Sequence, residues 1–114
     1  MITANEPGKT YLMQGNEAIS RGALEAGIRF AAAYPGSPSS EILTMLGHVA
    51  EEMDIYAEWS TNETCALEAC LGASFARVRS LCIMKQNGLL TVGDALHSAS
   101  LSGVRGGLVL IVAD

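Results

Sequence analysis

An open, mostly parallel α/β sheet with helices on both faces is the fold class this sequence predicts, on three observations. Helix-like and strand-like stretches alternate four times along 114 residues, the order produced by right-handed crossover units. The strand-like stretches are short apolar runs without polar alternation, as expected of strands buried on both faces. The connections are only a few residues long, as α/β units require.

The first helix starts at Asn16, a good N-cap type, presents Ala18, Ile19, Ala23 and Leu24 on one face and stops at Gly27. A strand over 28–34 follows, centred on Phe30-Ala31-Ala32-Ala33. In the loop Tyr34-Pro35-Gly36-Ser37-Pro38-Ser39-Ser40, Ser37 is placed to cap a second helix, with Pro38 at its first position. That helix carries Ile42, Leu43, Met45, Leu46 and Val49 and closes at Asp54. Next come a strand over 55–59, a small-residue helix from Glu63 through 76, a strand over 81–85 and a turn at Gln86-Asn87-Gly88. One helix over 89–102 and a strand over 108–112 complete the chain, while residues 1–10 carry little pattern.

Composition limits what such a domain can do. With 49% apolar and 17% charged residues and a mean hydropathy of +0.27, the chain is globular and long enough for one domain, spanning 1–114. A net charge of −5 without a basic stripe argues against nucleic acid. Cys65, Cys70 and Cys82 are odd in number and lie in apolar stretches rather than CxxC pairs, so they read as packing residues, not ligands. No disulfide framework, signal peptide or membrane-length apolar run is present, and a cytoplasmic location without membrane association is expected. The apolar last strand, with no helix after it, suggests an N-terminal piece of a longer subunit, since domains of this kind run to about 150 residues.

In such sheets ligands bind beyond the carboxyl ends of the strands, and there the sequence places 34–40, 60–63 and 86–88. The junction Ser60-Thr61-Asn62-Glu63 stands out. Ser60 followed by Glu63 before an apolar periodic run fits a capping box, in which each side chain satisfies the other's backbone N–H. The same carboxylate can instead face a ligand, and the spacing leaves both readings open. A helix N-terminus favours an ionised carboxylate by about 0.3–1 kcal/mol, whereas full burial opposes ionisation more strongly. Asp94 and His97 read as an exposed pair rather than a metal site, and Glu58 and Glu68 as solvated or structural.

Taken together, Gly-Asn-Glu-Ala-Ile-Ser-Arg-Gly-Ala-Leu-Glu-Ala-Gly, Tyr-Pro-Gly-Ser-Pro-Ser-Ser-Glu and Glu-Trp-Ser-Thr-Asn-Glu with its following Ala-Leu-Glu and Gly-Ala-Ser-Phe-Ala resemble the indolepyruvate ferredoxin oxidoreductase α-subunit family. More broadly they resemble the pyrimidine-binding domain of 2-oxoacid:ferredoxin oxidoreductases. The resemblance implies a thiamine diphosphate-binding fold of the pyrimidine-binding type and oxidative decarboxylation of a 2-oxoacid, best an aryl pyruvate, to an acyl-coenzyme A. It assigns Glu63 the catalytic role: binding N1′ of the aminopyrimidine and favouring the tautomer that removes the thiazolium C2 proton. It further implies cofactor contacts at Gln86, Asn87 and Gly88, and a substrate contact at Ser37. Within this chain no metal ligand is assigned. Gly93-Asp94-Ala95 lacks the Gly-Asp-Gly of the magnesium and diphosphate site, and there is no ferredoxin-type cysteine cluster. Mg2+, the diphosphate half of the cofactor and the 4Fe-4S clusters therefore belong to other domains or subunits of an oligomer that uses coenzyme A and ferredoxin. One alternative is a non-catalytic assembly module docking through the small residues of 66–76. Another is a flavodoxin-like domain binding an anion at the helix start near Ser37.

Overall fold

The computed structural model describes residues 1–114. Four parallel strands form one sheet in the order β2-β1-β3-β4, where β1 is Phe30–Ala33, β2 Tyr56–Trp59, β3 Ser80–Lys85 and β4 Leu108–Ala113. The helices are α1 Gly15–Glu25, α2 Ser40–His48, α3 Ala50–Met53, α4 Glu63–Phe75, α5 Gln86–Thr91 and α6 Gly93–Ser102. No helix is long and apolar enough to cross a membrane.

Because side chains of a strand alternate between faces, β1 and β3 feed two cores. Ala31, Ala33, Leu81 and Ile83 pack with Ile42, Leu43 and Leu46 of α2 and with Ala23 of α1. Ala32, Cys82 and Met84 pack on the other face with Ala66, Leu67, Cys70 and Leu71 of α4, with Val92 and with Ala95 of α6. Three consecutive alanines at the centre of the sheet are completely buried, and their small side chains let helices approach closely from both sides. The expected open parallel sheet with helices on both faces is therefore present. Cys70 and Cys82 are buried as core residues, but Cys65 is exposed, because it lies on the outer side of the first turn of α4.

Several boundaries differ from the sequence expectation. The first helix is capped at Gln14 rather than Asn16, with Glu17 accepting from Gln14 N at 2.7 Å. Asn16 instead donates to the Pro38 carbonyl at 2.9 Å and to Glu41 at 3.2 Å, which ties α1 to the loop after β1. The second helix breaks at Val49 (φ −107°, ψ 6°) into α2 and α3. The stretch 89–102 breaks at Val92, because the completely buried Val92 side chain turns into the core between α5 and α6. Burial overrides local helix propensity there.

Residues 1–10 are pinned, in part, by Arg21, whose Nη1 donates to the carbonyls of Ile2 (3.0 Å) and Ala4 (2.5 Å). The small residues of α4 are divided: Ala66, Cys70 and Ser74 are buried, Ala69 and Ala73 are half-buried, and Cys65, Gly72 and Ala76 are exposed. Ala69 and Ala73 line an open groove beside β2, while Ala66, Cys70 and Ser74 face the core.

Candidate functional site

The strand order places β1 beside β3, while the chain leaves β1 first for β2 on the other side. At this switch the loops beyond the two strands part toward opposite faces: α2 covers one and α5–α6 the other. A crevice at the carboxyl ends of β1 and β3 is the expected ligand position in an open α/β sheet. Three segments border it: 34–39 after β1, 60–62 after β2, and the start of α5 after β3.

Glu63 enters this rim as the first residue of α4. The capping-box expectation fails here for a clear reason. Ser60 N already donates to the Ala33 carbonyl at 2.8 Å, extending the sheet, so it has no proton left for Glu63. The cap is Asn62, in extended conformation, whose Oδ1 accepts from Cys65 N at 2.8 Å. No hydrogen bond within the chain engages the Glu63 carboxylate, and the residue is half-buried. At the same strand end Ser60 Oγ is buried and has no hydrogen-bond partner.

Gln86, Asn87 and Gly88 form the first turn of α5, not an isolated turn. The reason is that Lys85, in extended conformation (φ −79°, ψ 159°), lets the helix begin directly at the end of β3. Gln86 and Asn87 are exposed, and Gly88 is buried. A β-carbon built on Gly88 would stand 2.6 Å from Glu63 Cγ and 3.1 Å from its Cδ and Oε1. The side chain of Glu63 therefore lies directly on the Gly88 backbone. Two further bonds hold this junction: Thr64 Oγ1 donates to the Thr91 carbonyl at 3.1 Å, and Thr91 Oγ1 donates to the Gly88 carbonyl at 2.8 Å.

The loop after β1 is organised differently from the sequence expectation. Ser37 does not cap a helix, and Pro38 is not a first helical residue; both lie in a turn with a cis Ser37–Pro38 peptide, and α2 begins at Ser40. The Gly36 carbonyl gathers the turn by accepting from the backbone N–H groups and hydroxyls of both Ser39 and Ser40. Gly36 N–H in turn donates to Ser40 Oγ at 2.7 Å, so it is not free to bind an anion. Lys85 Cβ would lie 3.1 Å from a β-carbon at Gly36, which closes this loop onto the end of β3. Ser37 is exposed on the loop and is not hydrogen-bonded to Glu63.

The structure brings Glu63 and Gly88, both singled out through the family resemblance, into contact on the rim, and sequence reasoning missed Asn62, Ser60 Oγ and the Thr64–Thr91 link. Asn62 was recognisable as a cap type one residue before Glu63; the Ser60–Glu63 spacing masked it. Asp94 and His97 are both exposed, and no group of three or more His, Cys, Asp or Glu residues is arranged to hold a metal ion. Glu58 is half-buried and accepts from Tyr56 Oη at 3.1 Å. The larger clefts lie away from the rim, one of about 340 Å³ between residues 4–13 and α1, and an open groove of about 650 Å³ between α4 and β2. Glu63 is in neither, so the rim is an open wall rather than a closed pocket.

The comparisons with known proteins agree with this fold. Residues 21–113 match the family described as pyruvate flavodoxin/ferredoxin oxidoreductase, thiamine diphosphate-binding. The indolepyruvate oxidoreductase subunit IorA of Pyrococcus abyssi is 48% identical over 114 residues, all of this chain and 18% of that protein. A 2-oxoglutarate synthase subunit KorA of Methanocaldococcus jannaschii is 34% identical over 73 residues, 64% of this chain and 20% of that protein. Among solved structures, a 2-oxoglutarate:ferredoxin oxidoreductase of Magnetococcus marinus with 2-oxoglutarate, coenzyme A and succinyl-CoA bound superposes with a TM-score of 0.80 at 25% identity. That match covers 88% of this chain and 18% of the other. The chain thus spans about one-fifth of the length of the relatives it matches. From the family match along most of its length, this chain belongs to the pyruvate flavodoxin/ferredoxin oxidoreductase family, in its thiamine diphosphate-binding part.

Proposed function

We propose that this chain forms the pyrimidine-binding wall of a thiamine diphosphate-dependent 2-oxoacid:ferredoxin oxidoreductase that converts indolepyruvate, or a related aryl pyruvate, to an acyl-coenzyme A. The observation that carries this reading is the Glu63 carboxylate, free of capping duty, half-buried and seated on Gly88 at the carboxyl rim of the sheet. A ring nitrogen that must gain and lose a proton needs a carboxylate with unspent oxygens held in one place. The buried, unpartnered Ser60 hydroxyl on the same rim is a second group that a bound ring or an ordered water would satisfy.

The residues present fit the aminopyrimidine half of the cofactor. They do not fit its diphosphate half, since no cluster of metal-ligating side chains exists in the chain. Mg2+ and the diphosphate are assigned to a separate domain or subunit, and the 4Fe-4S clusters and the ferredoxin contact to other parts of the assembly. When bound, thiamine diphosphate supplies a carbon nucleophile for the 2-oxo group and an electron sink for loss of carbon dioxide. Glu63 holds a proton shared with N1′ of the ring, help of a kind worth roughly 10²–10⁴ in rate. Gln86 and Asn87 offer exposed amide groups at the ring edge, Gly88 lies directly beneath the Glu63 side chain, and Ser37 offers its hydroxyl to the 2-oxoacid. The aryl pyruvate preference is supported by identities of 42–48% over 94–100% of the chain to subunits named for indolepyruvate, against 34–39% over 62–64% of the chain for two named for 2-oxoglutarate.

In the complete enzyme Glu63→Gln is expected to retain the fold and lose 2-oxoacid oxidation by roughly 10²–10⁴-fold. Turnover at the wild-type rate would overturn the catalytic role. Comparing indolepyruvate with 2-oxoglutarate in the unaltered enzyme tests the substrate, and a preference for 2-oxoglutarate would refute that part.

A further inference from the structure

Resting on that reading of Glu63, we propose that Gly88, fixed by the Thr64–Thr91–Gly88 chain of hydrogen bonds, is a positioning residue that sets the Glu63 carboxylate. The family resemblance implies a cofactor contact at Gly88. In the structure the space above Gly88 is filled by Glu63 itself: a β-carbon there would stand 2.6 Å from Glu63 Cγ, well inside any normal contact, and 3.1 Å from Cδ and Oε1. The nearest atoms belong to the one carboxylate on this rim that no hydrogen bond restrains. With no hydrogen bond to fix it, the side chain takes its place from the surface beneath it.

That surface is itself held. Gly88 is buried in the first turn of a six-residue helix, too short to be rigid alone. Its carbonyl accepts from Thr91 Oγ1 at 2.8 Å, and the Thr91 carbonyl accepts from Thr64 Oγ1 at 3.1 Å. Thr64 directly follows Glu63. The seat and the side chain resting on it are thus tied to the same turn of α4, so α5 cannot shift without loosening the Glu63 contact. Glycine at 88 is required by this close approach rather than by a positive φ, since the residue is helical.

The test uses the complete oxidoreductase that contains this chain. A crystal structure of the cofactor-free Gly88→Ala enzyme is expected to show the Glu63 carboxylate displaced by about 1 Å, a misplacement that can cost 10²-fold in rate. An unmoved carboxylate would overturn the proposal. With cofactor bound, Gly88→Ala is expected to slow exchange of the thiazolium C2 proton tenfold or more. Glu63→Asp, one methylene shorter, should cost less in the Gly88→Ala background than alone, because it withdraws from the new methyl group. Thr91→Val keeps the side-chain shape and removes the hydroxyl; it should slow exchange several-fold and serves if Gly88→Ala does not fold. In the Glu63→Gln background neither Gly88→Ala nor Thr91→Val should slow exchange further. If they slow it as much as with Glu63 present, Gly88 acts on the ring or the fold and the positioning role is refuted, with the catalytic reading of Glu63 intact. If Glu63→Gln alone exchanges normally, it is the catalytic reading that fails.

Discussion

At the first turn of α4 two neighbouring polar side chains divide the work: Asn62 accepts from the Cys65 N–H, and Glu63 is left free. Removing an N-cap side chain costs about 0.5–2 kcal/mol, so Asn62→Ala should lower stability by that amount in a denaturant titration. Ser60→Ala should be neutral or stabilising, because it deletes a buried hydroxyl that lacks a partner. The reverse order would restore the capping box that the Ser60–Glu63 spacing suggests. A second residue-scale expectation concerns Cys70. The neighbouring Cys82 thiol, and then burial, push the Cys70 thiol well above the ordinary range. The unfolded chain releases this proton near the ordinary value of about 8.5, while the folded chain keeps it. Above that pH the unfolded state binds fewer protons, so stability falls as pH rises. A thermal midpoint that declines from pH 8 to 10, with a shallower decline in Cys70→Ala, is the expected result; equal slopes would refute it.

At the scale of elements, the short strands were legible because their residues leave no alternative: Phe30-Ala31-Ala32-Ala33 and Ser80-Leu81-Cys82-Ile83-Met84 have no polar face to expose. The rim was legible for the same reason, since polar residues collect only where strands end. Helix ends were less so. Val92 looks like a helix-interior residue, and only its complete burial in the three-dimensional packing explains the break there; nothing in the structure explains the break at Val49. The loop after β1 was misread because Ser37, Ser39 and Ser40 are all cap-type residues, and the hydrogen bonds to the Gly36 carbonyl decide among them. One long-range device had no sequence signal. Ser74 Oγ donates to the Gly106 carbonyl at 2.5 Å and accepts from Arg105 N at 3.2 Å, latching α4 to the entry of β4. A β-carbon on Gly106 would stand 2.5 Å from the Val78 carbonyl oxygen. Gly106→Ala should therefore destabilise the chain by about 1–3 kcal/mol, the usual cost of overpacking, and unchanged thermal stability would show that the latch yields freely.

For the whole molecule, the geometry describes one wall of a site. Glu63, Gly88 and Ser60 gather on an open rim, and no metal-ligating group accompanies them. The 114-residue chain alone is accordingly expected to show no saturable heat of binding when thiamine diphosphate and Mg2+ are titrated into it calorimetrically. Tight, Mg2+-dependent binding would mean that the diphosphate site lies within this chain after all. The carboxylate of Glu63 is the centre of this wall, and the most direct measurement of its role is solvent exchange of the C2 proton of thiamine diphosphate bound to the complete enzyme. Glu63→Gln is predicted to keep the fold and cofactor content while slowing that exchange by roughly 10²–10⁴-fold. Exchange at the wild-type rate would contradict the account and leave Glu63 as the first residue of a helix and nothing more.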